Sequence, residues 1–159
     1  MTEPIIRPAE AADNSAVRAY SRSAYAVFAD RLGYEPKPMV ADYGEVIAER
    51  RVRVVLDGDT LAGVLVLLPE PNHLLIYSIA VRPELQGMGH GRRLMAFAED
   101  RARHGGYHCI ALYTNERMAE NVAFYERLGY KRYDRREHLT RAGSWVIFLR
   151  KPFRYNSAS

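Results

Sequence analysis

The feature that most constrains the fold of this chain is a glycine-rich turn between an apolar run and an amphipathic segment. Residues 74–81 are apolar and rich in β-formers, and Pro83 ends the run. Three glycines then alternate with other residues, at Gly87, Gly89 and Gly91. Helical spacing of apolar residues follows over residues 91–104. The pattern predicts a strand, a tight turn and a helix, in that order.

A turn of this kind suits a phosphate group, although a turn that binds nothing is the alternative. Glycines let the backbone bend sharply and approach a ligand closely. Successive N–H groups at the start of a helix attract anions, and Arg92 and Arg93 add positive charge. A dinucleotide-binding G-x-G-x-x-G would need glycine at Arg92, and the Gly-Lys-Ser/Thr of a Walker loop is absent. Hydride transfer and nucleotide hydrolysis are therefore disfavoured.

The rest of the sequence predicts strands and helices that share one sheet. Helical spacing from Ala16 to Phe28 predicts a first helix, and a second is predicted over residues 39–50. Further helices are predicted over 91–104 and 118–128, and strands over 4–7, 51–56, 60–68, 74–81, 108–114, 130–137 and 145–151. The expected class is α+β, a mixed and mostly antiparallel sheet of six to seven strands with about four helices.

Composition indicates an ordinary globular protein. The chain has 159 residues, of which 48% are hydrophobic and 26% are charged. We therefore predict a single domain over residues 1–152 and a loose tail over 153–159. No apolar run reaches the roughly 18 residues that span a bilayer. The N-terminus lacks the pattern of a secretory signal, so the cytoplasm is the expected compartment and no membrane partner is expected.

Neither the charge distribution nor the cysteine and histidine residues favour a nucleic-acid or metal partner. The net charge is +4, yet no block of Lys or Arg exceeds a pair, which disfavours nucleic-acid binding. The single cysteine, Cys109, lies in an apolar run and is expected to be a structural thiol. The histidines lack metal-ligand spacing, so no metal is expected.

A second motif lies about thirty residues beyond the turn, at residues 121–130. Asn121, Tyr125 and Leu128 follow helical spacing and share one face with Phe124. A site role for Asn121 and Tyr125 is favoured. The alternatives are a helix-start polar residue and a core tyrosine.

Together the two motifs resemble the GNAT superfamily of N-acetyltransferases. Its acetyl-CoA signature, Q/R-x-x-G-x-G/A, is matched by Gln86, Gly89 and Gly91, and its motif N-x-x-x-F-Y-x-x-x-G-F/Y is matched by residues 121–130. The order of elements also matches, so the resemblance covers nearly the whole chain. It implies a GNAT-like fold and an acetyl-CoA-dependent N-acetyltransferase that acts on a small-molecule or protein amine.

The resemblance also implies roles for individual residues. The backbone at Ile79, Ala80 and Val81 would pair with the pantetheine arm like an added strand. Asn121 would hydrogen-bond the pantetheine, and Tyr125 would point at the thioester sulfur. Backbone amides would cradle the pyrophosphate at Gln86, Gly87, Met88, Gly89, His90, Gly91 and Arg92. The His90 side chain itself is expected to face solvent.

Acyl transfer from a thioester needs a neutral amine, close approach, a donor to the oxyanion and a proton for the thiolate. The resemblance implies that a backbone N–H of residues 79–81 is the oxyanion donor. Tyr125, with a reference pKa of about 10, is the predicted general acid. Relatives often carry an acid near Tyr77, but residues 76–81 have no carboxylate. Tyr77 is therefore the second candidate catalytic residue, shaping the acceptor pocket or acting through water.

Several alternatives stay open at this point. Tyr77 is as consistent with packing alone, and Asp42, Glu45 and Glu84 are substitute bases that are expected to be surface acids. A non-catalytic acyl-CoA-binding or sensor module is the second function, motivated by the missing carboxylate. The sequence does not define the acceptor, and a homodimer through the final strands is left open.

Overall fold

The structure is a computed structural model that describes residues 3–154. The strands are β1 (Ile5–Pro8), β2 (Val52–Asp57), β3 (Thr60–Pro69), β4 (Leu74–Ala80), β5 (Cys109–Asn115), β6 (Lys131–Glu137) and β7 (Trp145–Pro152). The helices are α1 (Asn14–Leu32), α2 (Lys37–Val40), α3 (Tyr43–Ala48), α4 (His90–His104) and α5 (Ala119–Arg127). The strand order in the sheet is β1-β2-β3-β4-β5-β7-β6. The predicted mixed, mostly antiparallel sheet is confirmed.

The chain folds as two compact units. The first comprises the chain up to Leu68 together with Ile76–Ala98, and the second comprises Pro69–Leu75 and the chain from Glu99 onward. None of the helices in the described part of the chain has the length and apolar character needed to cross a bilayer.

In the first unit, α1 covers the antiparallel pairs β1–β2 and β2–β3. The buried face of α1 is built by Val17, Tyr20 and Ala24. This face belongs to one core cluster with inward-facing valines of β2 and β3, which are Val52, Val54, Val64 and Val66. Gly33, at φ +81°, ends α1 in the left-handed conformation that glycine tolerates best.

The predicted single helix over residues 39–50 is wrong, because the chain divides there into α2 and α3. Ala41 and Asp42 are extended, with ψ of 153° and 97°. The Asp42 carboxylate accepts a hydrogen bond from the Gly44 N–H at 3.0 Å, which caps the start of α3. Apolar spacing continues across the break, so periodicity alone did not reveal it.

The strand–turn–helix order around the glycines is confirmed in the first unit. β4 ends at Ala80, and Pro83 opens a single 3-10 turn over Pro83–Leu85. The glycine-rich turn, residues 86–92, follows the 3-10 turn and includes the first three residues of α4, which begins at His90. Residues 86–88 and Arg92 are exposed, Gly89 and Gly91 are half-buried, and His90 is buried.

In the second unit, β7 pairs antiparallel with both β5 and β6. Lys151 of β7 donates to a Glu99 carboxylate oxygen at 2.6 Å and to the Leu128 carbonyl at 3.0 Å, which fixes the end of α5. Phe153, in the predicted tail, donates its N–H to the His108 carbonyl at 2.8 Å. The remainder of that tail, residues 155–159, lies outside the described residues.

Candidate functional site

The glycine-rich turn presents a run of backbone donors. Gly87 and Gly89 have φ of +85° and +87°, where a side chain would be strained. The Gln86 N–H donates to the Pro83 carbonyl at 3.2 Å, and the Arg93 N–H donates to the Gly89 carbonyl at 3.1 Å. Between them, the six N–H groups of residues 87–92 donate to no acceptor within residues 3–154. These donors are free for water or an anion.

The charge beside the turn is positive. Arg92 and Arg93 are both exposed, and neither pairs with a carboxylate in the described part of the chain. A β-carbon at Gly89 would lie 3.9 Å from Nη1 of Arg93, so this guanidinium sits against the turn. Six donors, two unpaired guanidinium groups and the start of a 15-residue helix fit a pyrophosphate.

Gln86 braces the turn with its side chain. Its Nε2 donates to the Val81 carbonyl at 3.1 Å, which ties the first residue of the turn to the end of β4. The side chain is therefore occupied in holding the loop closed. The Met88 side chain is 55% exposed, so the geometry of the turn fixes only the backbone of this residue.

The expectation that the His90 side chain faces solvent is wrong. His90 is 2% exposed, and neither ring nitrogen has a hydrogen-bond partner in the described part of the chain. It lies four and eight residues before Leu94 and Ala98, which are fully buried. The apolar face of α4 therefore extends back to its first residue, a periodicity that was readable from the sequence.

At the end of β4, the carbonyls of Ile79 and Val81 accept hydrogen bonds from the Tyr25 hydroxyl and from Gln86 Nε2. Ala80 is 2% exposed and belongs to the core cluster, whereas Ile79 and Val81 are half-buried. Two α1 residues that the sequence did not single out as site residues, Tyr20 and Tyr25, contact this segment. Their hydroxyl groups bridge residues far apart in the chain, which no local pattern predicts.

Tyr77 is half-buried and packs against the core cluster of the first unit. The three substitute acids have the surface positions expected of them. Asp42 caps α3, Glu45 is exposed, and Glu84 pairs with Nε of Arg82 at 3.2 Å.

The second unit contributes the α5 site, defined by Asn121 and Tyr125, which lie one helical turn apart. Tyr125 is 8% exposed, and its hydroxyl makes no hydrogen bond within residues 3–154. Its ring contacts those of Phe124 and Tyr130 at centroid distances of 5.5 and 6.2 Å. Burial raises the pKa of Tyr125, so its hydroxyl stays protonated. The half-buried Asn121 carboxamide is likewise without a partner in the described part of the chain.

The predicted site residues thus fall into two groups, each described within its own unit. Residues 79–92 are contiguous in the first unit, and Asn121 and Tyr125 share α5 in the second. Among residues 3–154, no group of three or more His, Cys, Asp or Glu side chains is placed to hold a metal ion.

The chain belongs to the Acetyltransferase (GNAT) family, whose model matches residues 14–130. The mycothiol acetyltransferase of Arthrobacter sp. (strain FB24) is 37% identical over 59 residues, covering 37% of this chain and 18% of that protein. The uncharacterized N-acetyltransferase YvbK of Bacillus subtilis (strain 168) is 35% identical over 75 residues, covering 46% of this chain and 48% of that one. The matches span less than half the length of each of these relatives.

Solved structures share the fold over nearly the whole chain. A GNAT-family protein from Desulfovibrio desulfuricans has a TM-score of 0.77 at 25% identity, covering 94% of this chain and 99% of that one. The PaiA N-acetyltransferase from Thermoplasma acidophilum, solved with coenzyme A, has a TM-score of 0.80 at 17% identity and covers 96% and 100%. The family predicted from the two motifs is confirmed, and the bound coenzyme A of PaiA agrees with the predicted cofactor.

Proposed function

We propose that this chain is an acetyl-CoA-dependent N-acetyltransferase that moves the acetyl group to an amine. The observation that carries the proposal is the run of six unpaired N–H groups at residues 87–92, beside the unpaired guanidinium groups of Arg92 and Arg93. In a chain of the Acetyltransferase (GNAT) family, the pyrophosphate of CoA is the ligand that satisfies both.

The remaining contacts to CoA are the ones that the resemblance to the GNAT family implies. CoA supplies an acetyl group activated as a thioester. The half-buried backbone at Ile79 and Val81 would pair with the pantetheine arm, and Ala80 would contribute its backbone alone because its side chain is buried. The unpaired carboxamide of Asn121 would donate to or accept from the pantetheine amides.

Tyr125 is the proposed general acid, which donates its phenolic proton to the departing sulfur. An acid must be protonated before it acts, and the raised pKa of Tyr125 ensures this. The proton passes from the Tyr125 hydroxyl to the CoA sulfur as the carbon–sulfur bond breaks, so that CoA leaves as the free thiol.

Tyr77 takes the place on β4 where an acid was expected, and we propose that it shapes the acceptor pocket or orders a water that receives the amine proton. Tyr77→Phe tests this choice. An effect on KM for the acceptor alone supports pocket shaping, and a fall in kcat supports the water. The cytoplasmic compartment is proposed from the sequence alone, and the assay below identifies the acceptor amine.

A CoA-release assay across a panel of small amines, amino acids, antibiotics and protein N-terminal peptides tests the proposed function. We expect at least one amine to raise thiol release above hydrolysis. The second candidate, a non-catalytic acyl-CoA sensor, is favoured by the absence of a carboxylate on residues 76–81. It predicts tight CoA binding, no amine-dependent release, and a Tyr125→Phe variant that is unchanged in every measured property.

A further inference from the structure

The hydroxyl of Tyr20 holds the chain just beyond β4. Tyr20 lies on α1, is 4% exposed, and accepts a hydrogen bond from the Arg82 N–H at 3.0 Å. The same hydroxyl donates to the Ala62 carbonyl of β3 at 2.7 Å. The Arg82 guanidinium lies over the Tyr20 ring, 4.9 Å from its centroid. One phenol therefore satisfies a partly buried donor and a buried acceptor from two different segments.

The hydroxyl of Tyr25 holds the last residues of β4 itself. It lies 2.9 Å from Oγ of Ser78, which is 2% exposed, and it donates to the Ile79 carbonyl at 3.3 Å. The arrangement that satisfies both contacts has Ser78 donating to Tyr25 and Tyr25 donating to Ile79. This short chain of hydrogen bonds leads from the buried strand to a half-buried carbonyl.

We propose that Tyr20 and Tyr25 act together as a tyrosine clamp by which α1 sets the position of residues 78–82 for acetyl-CoA. This inference rests on the proposed function, in which the backbone at Ile79 and Val81 pairs with the pantetheine. Both tyrosines are positioning residues, since their hydroxyl groups form hydrogen bonds with other residues of the protein.

The clamp matters because this segment offers a ligand only its backbone. A side chain can change rotamer to meet a ligand, but a backbone N–H or carbonyl is placed only by the path of the chain. Residue 82 lies past the end of β4, so the strand ladder does not fix its N–H. The Tyr20 hydroxyl is the acceptor that orients it.

Removing either hydroxyl tests the clamp without deleting a ring. Tyr20→Phe and Tyr25→Phe are each expected to raise the Kd for CoA about 3- to 10-fold by calorimetry, the range that follows from losing one hydrogen bond. Amide hydrogen exchange provides a readout that needs no cofactor. The Arg82 amide is expected to exchange about tenfold faster in Tyr20→Phe than in the wild-type protein.

Two controls separate positioning from general loss of stability. Val17→Ala truncates a fully buried residue of the same helix and is expected to lower Tm at least as much while leaving Kd unchanged. Tyr133→Phe, at a tyrosine that is 43% exposed on β6, is expected to change neither.

The outcomes distinguish the clamp from the proposed function. Unchanged exchange at Arg82 in Tyr20→Phe contradicts the clamp, whether or not CoA binds. Wild-type Kd values in both phenylalanine variants, or an equal rise in Kd in Val17→Ala, contradict its role in CoA binding. A folded wild-type protein that binds no CoA contradicts the proposed function, and with it the role of the clamp, even if the exchange result holds.

Discussion

At the glycine-rich turn, the groups that face a ligand are backbone N–H groups, whereas at the α5 site they are the side chains of Asn121 and Tyr125. The turn is largely exposed apart from the buried His90, and it is held by two left-handed glycines and the hydrogen bond from the Gln86 side chain. The α5 site lies in aromatic packing, and Lys151, which is paired with Glu99, donates to the Leu128 carbonyl at the end of its helix.

This difference separates binding from chemistry. A backbone site tolerates changes of side chain and fails when its φ angles are disturbed, whereas a side-chain site fails when a single functional atom is lost. We therefore expect substitutions in the turn to change CoA affinity. Substitutions at Tyr125 are expected to change turnover.

The largest effect is expected for Tyr125→Phe, which removes one hydroxyl from the α5 site. Without its proton donor, kcat is expected to fall about 100-fold, the lower end of what general acid catalysis contributes. The Kd for acetyl-CoA is expected to change by no more than about tenfold, since one hydrogen bond at most is lost. Steady-state kinetics and calorimetry measure the two quantities.

In the wild-type protein, the raised pKa of Tyr125 predicts no loss of kcat from its deprotonation up to about pH 10.

Tyr130→Phe is the matched control, because the Tyr130 ring packs against Tyr125 and its buried hydroxyl has no partner in the described part of the chain. We expect kcat to be unchanged. Burial also raises the pKa of Tyr130 above its unfolded value, so the unfolded state binds fewer protons above about pH 10 and stability falls as pH rises. Tyr130→Phe is therefore expected to reduce the loss of folding stability as pH rises above about 10. Equal loss of kcat in both variants would contradict the assignment of the acid.

Lys151→Met is expected to lower the free energy of unfolding by roughly 2–4 kcal/mol. Methionine keeps most of the length of the side chain but removes the donor to the Leu128 carbonyl, and it leaves the Glu99 carboxylate, which is 7% exposed, with the Arg103 guanidinium 4.0 Å away. Chemical denaturation measures the loss. Lys131→Met, at an exposed position on β6, is the control and is expected to change stability by less than about 0.5 kcal/mol. A loss below about 1 kcal/mol at Lys151 would mean that the ion pair does not support α5.

Gly89→Ala tests whether the turn works through its backbone angles. A β-carbon there meets only Nη1 of Arg93 at 3.9 Å, so the expected cost is the strain of φ +87°, about 1–2 kcal/mol. We expect the Kd for CoA to rise about tenfold. Gly33→Ala imposes the same strain at φ +81° on the exposed end of α1 and is expected to lower Tm without changing Kd. Equal Kd values in the two variants would contradict the backbone account.

The smallest effect is expected for His90→Leu. Its ring is buried and unpartnered, and its predicted contribution to CoA binding is the backbone N–H alone. We expect the Kd for CoA to stay within about twofold and Tm to stay equal or to rise, because leucine leaves no buried polar atom unsatisfied. Calorimetry and thermal unfolding check both. A Kd raised tenfold would show that the imidazole itself contacts the ligand.

The sequence was informative where the cause of a structure is local. The strand, turn and helix around residues 74–104 follow from apolar periodicity, proline and glycine, and α5 follows from its spacing. The break at Ala41 and Asp42 was missed because a capping carboxylate overrides an apolar pattern that continues through it. The roles of Tyr20 and Tyr25 depend on partners 42 to 62 residues away, which no spacing reveals.

A calorimetric titration of the wild-type protein is the most direct test of the proposal that this chain binds acetyl-CoA. We predict saturable binding at one site per chain with a Kd below about 1 mM, within the usual range for enzyme substrates. The affinity should weaken with added salt, because exposed guanidinium groups and backbone donors hold the pyrophosphate. Folded protein that shows no saturable binding at any salt concentration would contradict the account.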